Sequence, residues 1–286
     1  MTSKFSLKKL FGQIYIYLIL LFMYLPILVL VAYSFANTKI IGGKFEFSFD
    51  LYPALFKNQE IMIALGNTLL IALISAMVAT LLGTLGAMGA YYMKRKWKKA
   101  IDMATQIPVV NAEIVIAFSL TVMFVFVGTY IFRGANLFSF WTLLIGHVSL
   151  SVPFVYISVQ PKLQQMDPSL YEAAIDLGAS PATALRKIVI PEIMPGVLSG
   201  FLLSITLSLD DFVITNFTRG SGLFSGAGKI ETLSTFIENK IKKTGVPVEM
   251  RALTTIIFVV VIIAVILISV KQKNDAKKVK VRKGRA

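Results

Sequence analysis

The chain has 286 residues, of which 56% are hydrophobic and 15% charged, and its mean hydropathy is +0.75. That balance argues against a soluble domain, because several apolar runs approach the roughly 20 residues that cross a bilayer. Cysteine is absent, which removes a disulfide framework and any Cys-based metal site, and the net charge of +14 clusters beside apolar runs, where it suits membrane topology and anionic headgroups rather than nucleic acid.

Lys4, Lys8 and Lys9 precede a first span, about residues 12–35, with Pro26 inside it. It is too long for the apolar region of a signal peptide and no small-residue cleavage site follows, so it is expected to be a retained anchor. A polar stretch with a Gly42-Gly43 turn leads to a second span, about 61–93. Its Gly83, Gly86 and Gly89, with Ala72, Ala76 and Ala79, form an expected helix-packing face. The run Lys94 to Lys99 is read as a short basic loop that sets topology. A third span, about 109–130, carries Glu113 near its start, and a turn holding Arg133, Gly134 and Asn136 connects it to a fourth, about 140–159, with Pro153 inside. His147 stands alone in that fourth apolar run and reads as a hydrogen-bonded core residue rather than a ligand.

Between the fourth and fifth spans the punctuation changes. Asp167-Pro168 breaks the chain; Ser169 and Glu172 have the spacing of a capping box; Gly178 falls where a left-handed closing residue is favoured. Ser180 and Pro181 open a second helix, and Pro191 and Pro195 discourage its continuation into the next span. The expectation is a hairpin of two short helices, small along the edge formed by Ala173, Ala174, Gly178 and Ala179, with Leu177, Leu185 and Ile188 to bury.

The fifth span, about 197–217, contains Asp210-Asp211. An ionisable side chain in a bilayer costs roughly 2.5–3.5 kcal/mol or more at the centre, so this pair is a functional candidate. Ser204, Ser208, Asp211 and Thr215 recur at helical spacing, which predicts one polar helix face. Two readings of the pair compete: a carboxylate lining of a solute path, or a structural pair capped by neighbouring hydroxyls or by a cation. The same choice applies to Glu113.

Residues 218–251 are polar and read as a flexible external loop. Within it Gly222 to Lys229 superficially suggests a phosphate-binding loop, but position 223 is Leu where Gly is needed, and position 230 is Ile where Ser or Thr is needed. A sixth span, about 253–270, and a basic tail, 271–286, end the chain. Nineteen of the 29 Lys and Arg residues flank one set of span ends, in residues 1–11, 94–99, 160–195 and the tail, which predicts that both termini and the 160–195 loop are cytoplasmic. The expected architecture is all-α: a single polytopic membrane domain of about six helices.

The series Glu172-Ala173-Ala174, Gly178 and Ile188-Val189-Ile190-Pro191 resembles the EAA loop of ABC-importer membrane subunits, with Ile190 where the family usually has Leu. The resemblance implies that the hairpin docks on a separate ATPase through Glu172, Ala173, Ala174, Asp176, Gly178, Ala179, Ser180 and Arg186. The segments Ser208 to Ile214, Glu231-Thr232-Leu233 and Ala252 to Thr255 look like the PotC-type permeases of spermidine/putrescine importers, over nearly the whole chain. That likeness implies a PotB-like second permease, two ATPase subunits, an extracytoplasmic polyamine-binding protein and a polyamine substrate passing Glu113, Ser208, Asp210, Asp211 and Thr215. Tyr52 falls where the family often has a Trp-Tyr pair, but Leu51 replaces the Trp, and residues 218–229 form an insertion against the pattern. It further implies a transport subunit, not an enzyme, in the cell membrane, without catalytic residue, metal or cofactor of its own; ATP and magnesium belong to the partner. The alternatives are an ABC permease for another cationic or small organic solute, or a secondary transporter, which leaves the hairpin without a purpose.

Overall fold

The computed structural model describes residues 7–38, 42–220, 229–243, 245–263 and 266. The basic tail, most of the glycine-rich 222–229 stretch and the far end of the sixth span lie outside them. The chain divides into two compact units, residues 1–62 with 243–286, and residues 63–242. Five helices are long and apolar enough to cross a membrane: Gly12–Ser34, Gln59–Tyr92, Glu113–Ile131, Phe140–Gln165 and Pro181–Asp210; a shorter apolar helix covers Met250–Ile263. The protein is an all-α, multi-pass membrane protein.

In the first unit, α1 (Leu7–Ser34) presents its described side chains almost entirely outward, as expected of a helix apolar on every face. After it the chain folds back through an isolated antiparallel bridge between Ala36 and Phe47. Phe35, Phe47, Phe49 and Tyr52 pack their rings at 5.1–6.3 Å, beside α2 (Leu51–Lys57). Tyr52 also shares a 3.0 Å hydrogen bond with Ser34. In α12 (Met250–Ile263), Arg251 donates to the Thr38 carbonyl at 2.8 Å.

The second unit is organised by α3 (Gln59–Tyr92), α6 (Phe140–Gln165) and the helix that ends in α9 (Ile190–Asp210). Glycines set the approach of α6 and α9. A Cβ on Gly196 would lie 2.8 Å from the Ser158 carbonyl, and one on Gly200 would lie 3.1 Å from the Val155 Cα. The antiparallel register pairs Val159 with Gly196, Val155 with Gly200 and His147 with Ser208. On α3, Gly83 accommodates Val155 where a Cβ would come within 2.7 Å, and Ala72, Ala76 and Ala79 are buried. Gly86 would only graze Tyr156 and Gly89 meets nothing, so the expected small-residue face is used for part of its length.

Four expectations are corrected. The basic run is not a loop: Lys94 stands at the N-cap position, without a side-chain capping bond, and α4 (Arg95–Val110) starts at the next residue. Lys and Arg are good helix formers whose stems lie along a helix surface, so charge density alone did not mark a loop. Asp102 ties α4 to α6 by accepting from Tyr156 Oη and Gln160 Nε2, both at 2.5 Å. Asn111 and Ala112 then leave helical conformation, so the third span begins at Glu113, in α5 (Glu113–Phe126), which continues through a π turn, Val127–Ile131. Second, Pro191 and Pro195 do not stop the helix. α8 (Pro181–Ala184) runs through a π turn, Leu185–Val189, directly into α9. The wider turn, just before Pro191, absorbs the hydrogen bond that this proline cannot donate and the space its ring demands, whereas Pro195 lies a turn further on, inside α9.

Third, the fifth span is not one helix to Phe217. It breaks after Asp210, where Asp211 is extended, and restarts as α10 (Val213–Thr218). Fourth, the polar segment after it holds a helix, α11 (Leu233–Lys243), with Phe236 buried. Thr68 accepts from the Leu233 amide at 2.8 Å, and Asn67 donates to the Glu231 carbonyl at 3.0 Å, which fastens this segment to α3.

Candidate functional site

The break between α9 and α10 is built by Asp211. Its Oδ1 accepts from the Ile214 amide at 3.1 Å, and its Oδ2 accepts from the Thr215 amide at 2.8 Å and the Thr215 hydroxyl at 2.7 Å. These bonds satisfy amides that the start of α10 would otherwise leave free. Ser234, from α11, donates to the Asp211 carbonyl at 2.7 Å. The carboxyl group is buried, 5% exposed, and both of its oxygens accept from donors of its own turn.

His147, 1% exposed on α6, closes the assembly. Its Nδ1 lies 2.7 Å from Ser208 Oγ on α9; its Nε2 lies 3.0 Å from Thr215 Oγ1 on α10 and 3.4 Å from Asp211 Oδ2. Because Thr215 gives its single hydroxyl hydrogen to Asp211, it can only accept from the imidazole, so Nε2 carries the ring hydrogen. Nδ1 then accepts from Ser208, whose oxygen in turn faces the Ser75 hydroxyl of α3 at 3.2 Å. The result is a directed hydrogen-bond chain from α3 through α9 and α6 to α10.

Asp210 has a different environment. It is exposed at the C-terminal end of α9, and with Glu113 and Asp211 it faces a cavity of about 260 Å³. Three of the ten lining residues are carboxylates; the others include Asn111, Leu150, Phe154 and Leu207, and none is Lys or Arg. Glu113 comes within hydrogen-bond reach of Asp211 and faces Asp210. Its place in the first turn of α5 is favourable for an anion, whereas the C-terminal ends of α4 and α9 add negative potential to the cavity.

The sequence-predicted path residues therefore divide. Asp210, Glu113 and an edge of Asp211 meet at the cavity; Ser208 and Thr215 are buried on His147; Tyr52 lies in the first unit on Ser34. Ser204 sits on the same helix face as Ser208 but is buried away from the break, at the α6–α9 contact. Sequence spacing missed the role of His147 in joining both sides of the break. The available signal was a single histidine in an apolar run beside a span rich in hydroxyls.

The hairpin opposite the break forms as α7 (Ser169–Asp176) followed by α8. Gly178 has φ +85°, and its amide donates to the Ile175 carbonyl at 2.8 Å, the left-handed closure expected of it. Ser180 caps α8 by accepting from the Thr183 amide at 3.3 Å. The capping box does not form: Asp167 Oδ1, not Ser169, accepts at the start of α7, from the Ser169 amide at 3.0 Å. Asp167 is one residue further from the helix, where the Pro168 turn lets its short side chain reach back. This bond and the Ser169 hydroxyl hold the Asp167 carboxyl below the usual carboxylate range. Leu185 and Ile188 are half-buried, but Leu177 is 89% exposed at the turn and is not buried as expected, since the Gly178 closure directs it outward. Glu172, Ala173, Asp176, Ser180 and Arg186 are exposed, and Ala174 and Ala179 partly so.

Comparison with known proteins identifies the family. Residues 79–272 match the family described as "Binding-protein-dependent transport system inner membrane component", and the chain belongs to that family. Within it the chain is similar to the spermidine/putrescine transport system permease protein PotC of Haemophilus influenzae, 34% identical over 274 residues, or 96% of this chain and 99% of that protein. It is also 33% identical over 237 residues to the putrescine transport system permease protein PotI of Escherichia coli, covering 82% of this chain and 81% of PotI. A bacterial alginate ABC transporter, solved in complex with an alginate pentasaccharide-bound periplasmic protein, contains a chain of the same fold, with a TM-score of 0.67 over 91% of each chain at 18% identity.

Proposed function

We propose that this chain is the permease subunit of an ATP-driven importer of polyamines, spermidine or putrescine, and forms half of the translocation path beside a PotB-like second permease. The observation that carries the substrate class is the cavity, which Glu113, Asp210 and Asp211 line together, with no basic residue among the lining ones. A polyamine entering a low-dielectric passage loses hydration, and fixed carboxylates offset part of that loss. The names of the PotC and PotI relatives point to the same solutes. Release requires reversible binding, which an open cavity with a few carboxylates allows better than a closed anionic cage.

In this reading the hairpin faces the cytoplasm, together with both termini, as the Lys and Arg distribution favours. It offers Leu177, Glu172, Asp176 and Arg186 to one of two ATPase subunits, which bind magnesium and ATP, while an extracytoplasmic binding protein delivers the polyamine. The permease supplies no cofactor. Coupling has a physical route: the helix that begins at Pro181 in the hairpin is continuous for 30 residues to Asp210, about 45 Å at 1.5 Å per residue. Movement of the hairpin is therefore delivered to the carboxylate end. The ATPase and the substrate must each favour one of two arrangements of this helix for import to be driven.

The test is ATP hydrolysis by the importer reconstituted with its binding protein. Spermidine or putrescine should stimulate it, and transport should follow. Stimulation by a different solute, with no response to either polyamine, rejects the substrate assignment.

A further inference from the structure

We infer that His147 is a positioning residue for transport: it fastens α9 to α10 across the helix break and thereby holds Asp210 toward the Glu113 cavity. The inference rests on the reading of that cavity as part of the solute path.

Geometry carries it. A break at Asp211 leaves α10 only six residues long, too short to hold its own orientation as an isolated helix. Something outside must fix the angle between the two segments. His147 reaches both from a third helix, meeting Ser208 three residues before the break and Thr215 with Asp211 at and after it. The imidazole is fully enclosed and both ring nitrogens are occupied, so neither arm can be replaced by water without opening the core. Gly146, the preceding residue, lets α6 approach α10 closely: a Cβ there would lie 2.6 Å from the Ile214 side chain. Asp211 is the residue held, and Asp210 is its immediate neighbour. If Asp211 turns, the backbone between them turns, and Asp210 leaves the cavity that it lines with Glu113.

The two arms differ. The Nε2–H arm reaches the capping pair Thr215–Asp211, whereas the Nδ1 arm accepts from Ser208 within α9. Glutamine places an N–H close to the position of Nε2, and asparagine reaches only as far as Nδ1. A positioning role through Nε2 therefore ranks glutamine above asparagine, although a role as mere filling favours a ring of similar volume, such as phenylalanine.

The chain contains no cysteine, so Leu207→Cys, in the cavity lining, places this subunit's one thiol there and gives a probe of the break independent of any solute. The importer, assembled with cysteine-free partner subunits in proteoliposomes, is labelled with a membrane-impermeant thiosulfonate, and spermidine uptake is measured on parallel preparations that keep Leu207. His147→Asn and His147→Phe should change the labelling rate at position 207 and raise the half-saturating spermidine concentration by roughly tenfold, the loss expected when a hydrogen bond to a charged partner is removed. His147→Gln should restore both to within about threefold of the unmodified protein. Equal labelling and equal uptake in the Asn, Phe and unmodified proteins overturns the inference. So does loss of all three variants from the membrane, glutamine included, because His147 is then required for folding and not for positioning. If spermidine is not transported at all, the substrate reading fails, and the labelling ranking still decides the role of His147.

Discussion

The helix from Pro181 to Asp210 meets an irregularity near each end, and the two irregularities have opposite consequences. Near the hairpin, Pro191 and Pro195 fall inside the helix, yet the π turn at Leu185–Val189, just before Pro191, and α9 after it carry the backbone through without interruption. At the other end no proline is present, and the helix nevertheless stops, because the Asp211 side chain offers the amides of Ile214 and Thr215 a better acceptor than a continuing helix would. One end keeps a continuous helix; the other ends it. A proline is therefore a poor guide to where this helix ends, and a short acidic side chain followed by a hydroxyl residue four positions on is a better one.

The comparison predicts that damage along the continuous part is the most severe. Gly196 lies where α9 crosses α6 with a carbonyl 2.8 Å from the position a Cβ would take, so neither backbone can yield cheaply. Gly196→Leu should cost about 3 kcal/mol or more through overpacking. The expected outcome is a severalfold drop in membrane-inserted protein and no measurable transport, checked by quantitative immunoblotting of membranes beside uptake. A level equal to that of the unsubstituted protein would show that α6 and α9 are not locked together there.

At the broken end, the adjacent aspartates should separate. Asp211→Ala removes the acceptor of three hydrogen bonds and should lower thermal stability by about 1–2 kcal/mol, as loss of a helix cap does. Asp210→Asn removes only a charge that faces the cavity, so it should leave the melting temperature unchanged and reduce polyamine uptake by about tenfold. Detergent-solubilised thermal unfolding, read beside uptake, checks both. If Asp210→Asn proves the less stable of the two, the division of labour is reversed.

Much of this was legible in the chain. The first four spans, the hairpin, the Gly178 closure and the Ser180 cap follow from hydropathy and turn chemistry, because each depends on residues adjacent in sequence. The helical spacing of Ser208, Asp211 and Thr215 brought the right residues together for a reason that does not hold, since the helix breaks between them; they meet on His147 instead. His147 is 61 residues from Ser208 and 68 from Thr215. No local pattern reports such a contact. The onset of α4 in a basic run was hidden for another reason: what pins it is Asp102 on Tyr156 and Gln160, a tertiary bond that gives the segment its helical partner. The split between Asp210 and Asp211 was equally invisible, because two identical neighbours differ only in which way the backbone turns them.

The smallest expected effect lies at the start of the hairpin, at Asp167. Its carboxyl is held below the usual range, first by the Ser169 amide and then by the Ser169 hydroxyl. A lowered folded-state pKa means that the stabilisation is fully present above the ordinary aspartate value, about 3.9, and is lost as pH falls through the lower folded value. The group is fully exposed, so the effect is confined to the first turn of α7 and should not reach the span. Hydrogen exchange at the Ser169 amide, corrected for its intrinsic pH dependence, should lose protection on the acid side of the carboxylate range. In Asp167→Asn the acceptor survives without its titration, so protection should be present but flat across the same range. Polyamine uptake at neutral pH should be the same in both proteins, because the bond belongs to the hairpin's entrance and not to the continuous helix that leads from Pro181 to the cavity. An acid limb that persists in the asparagine variant would assign the pH response to another group.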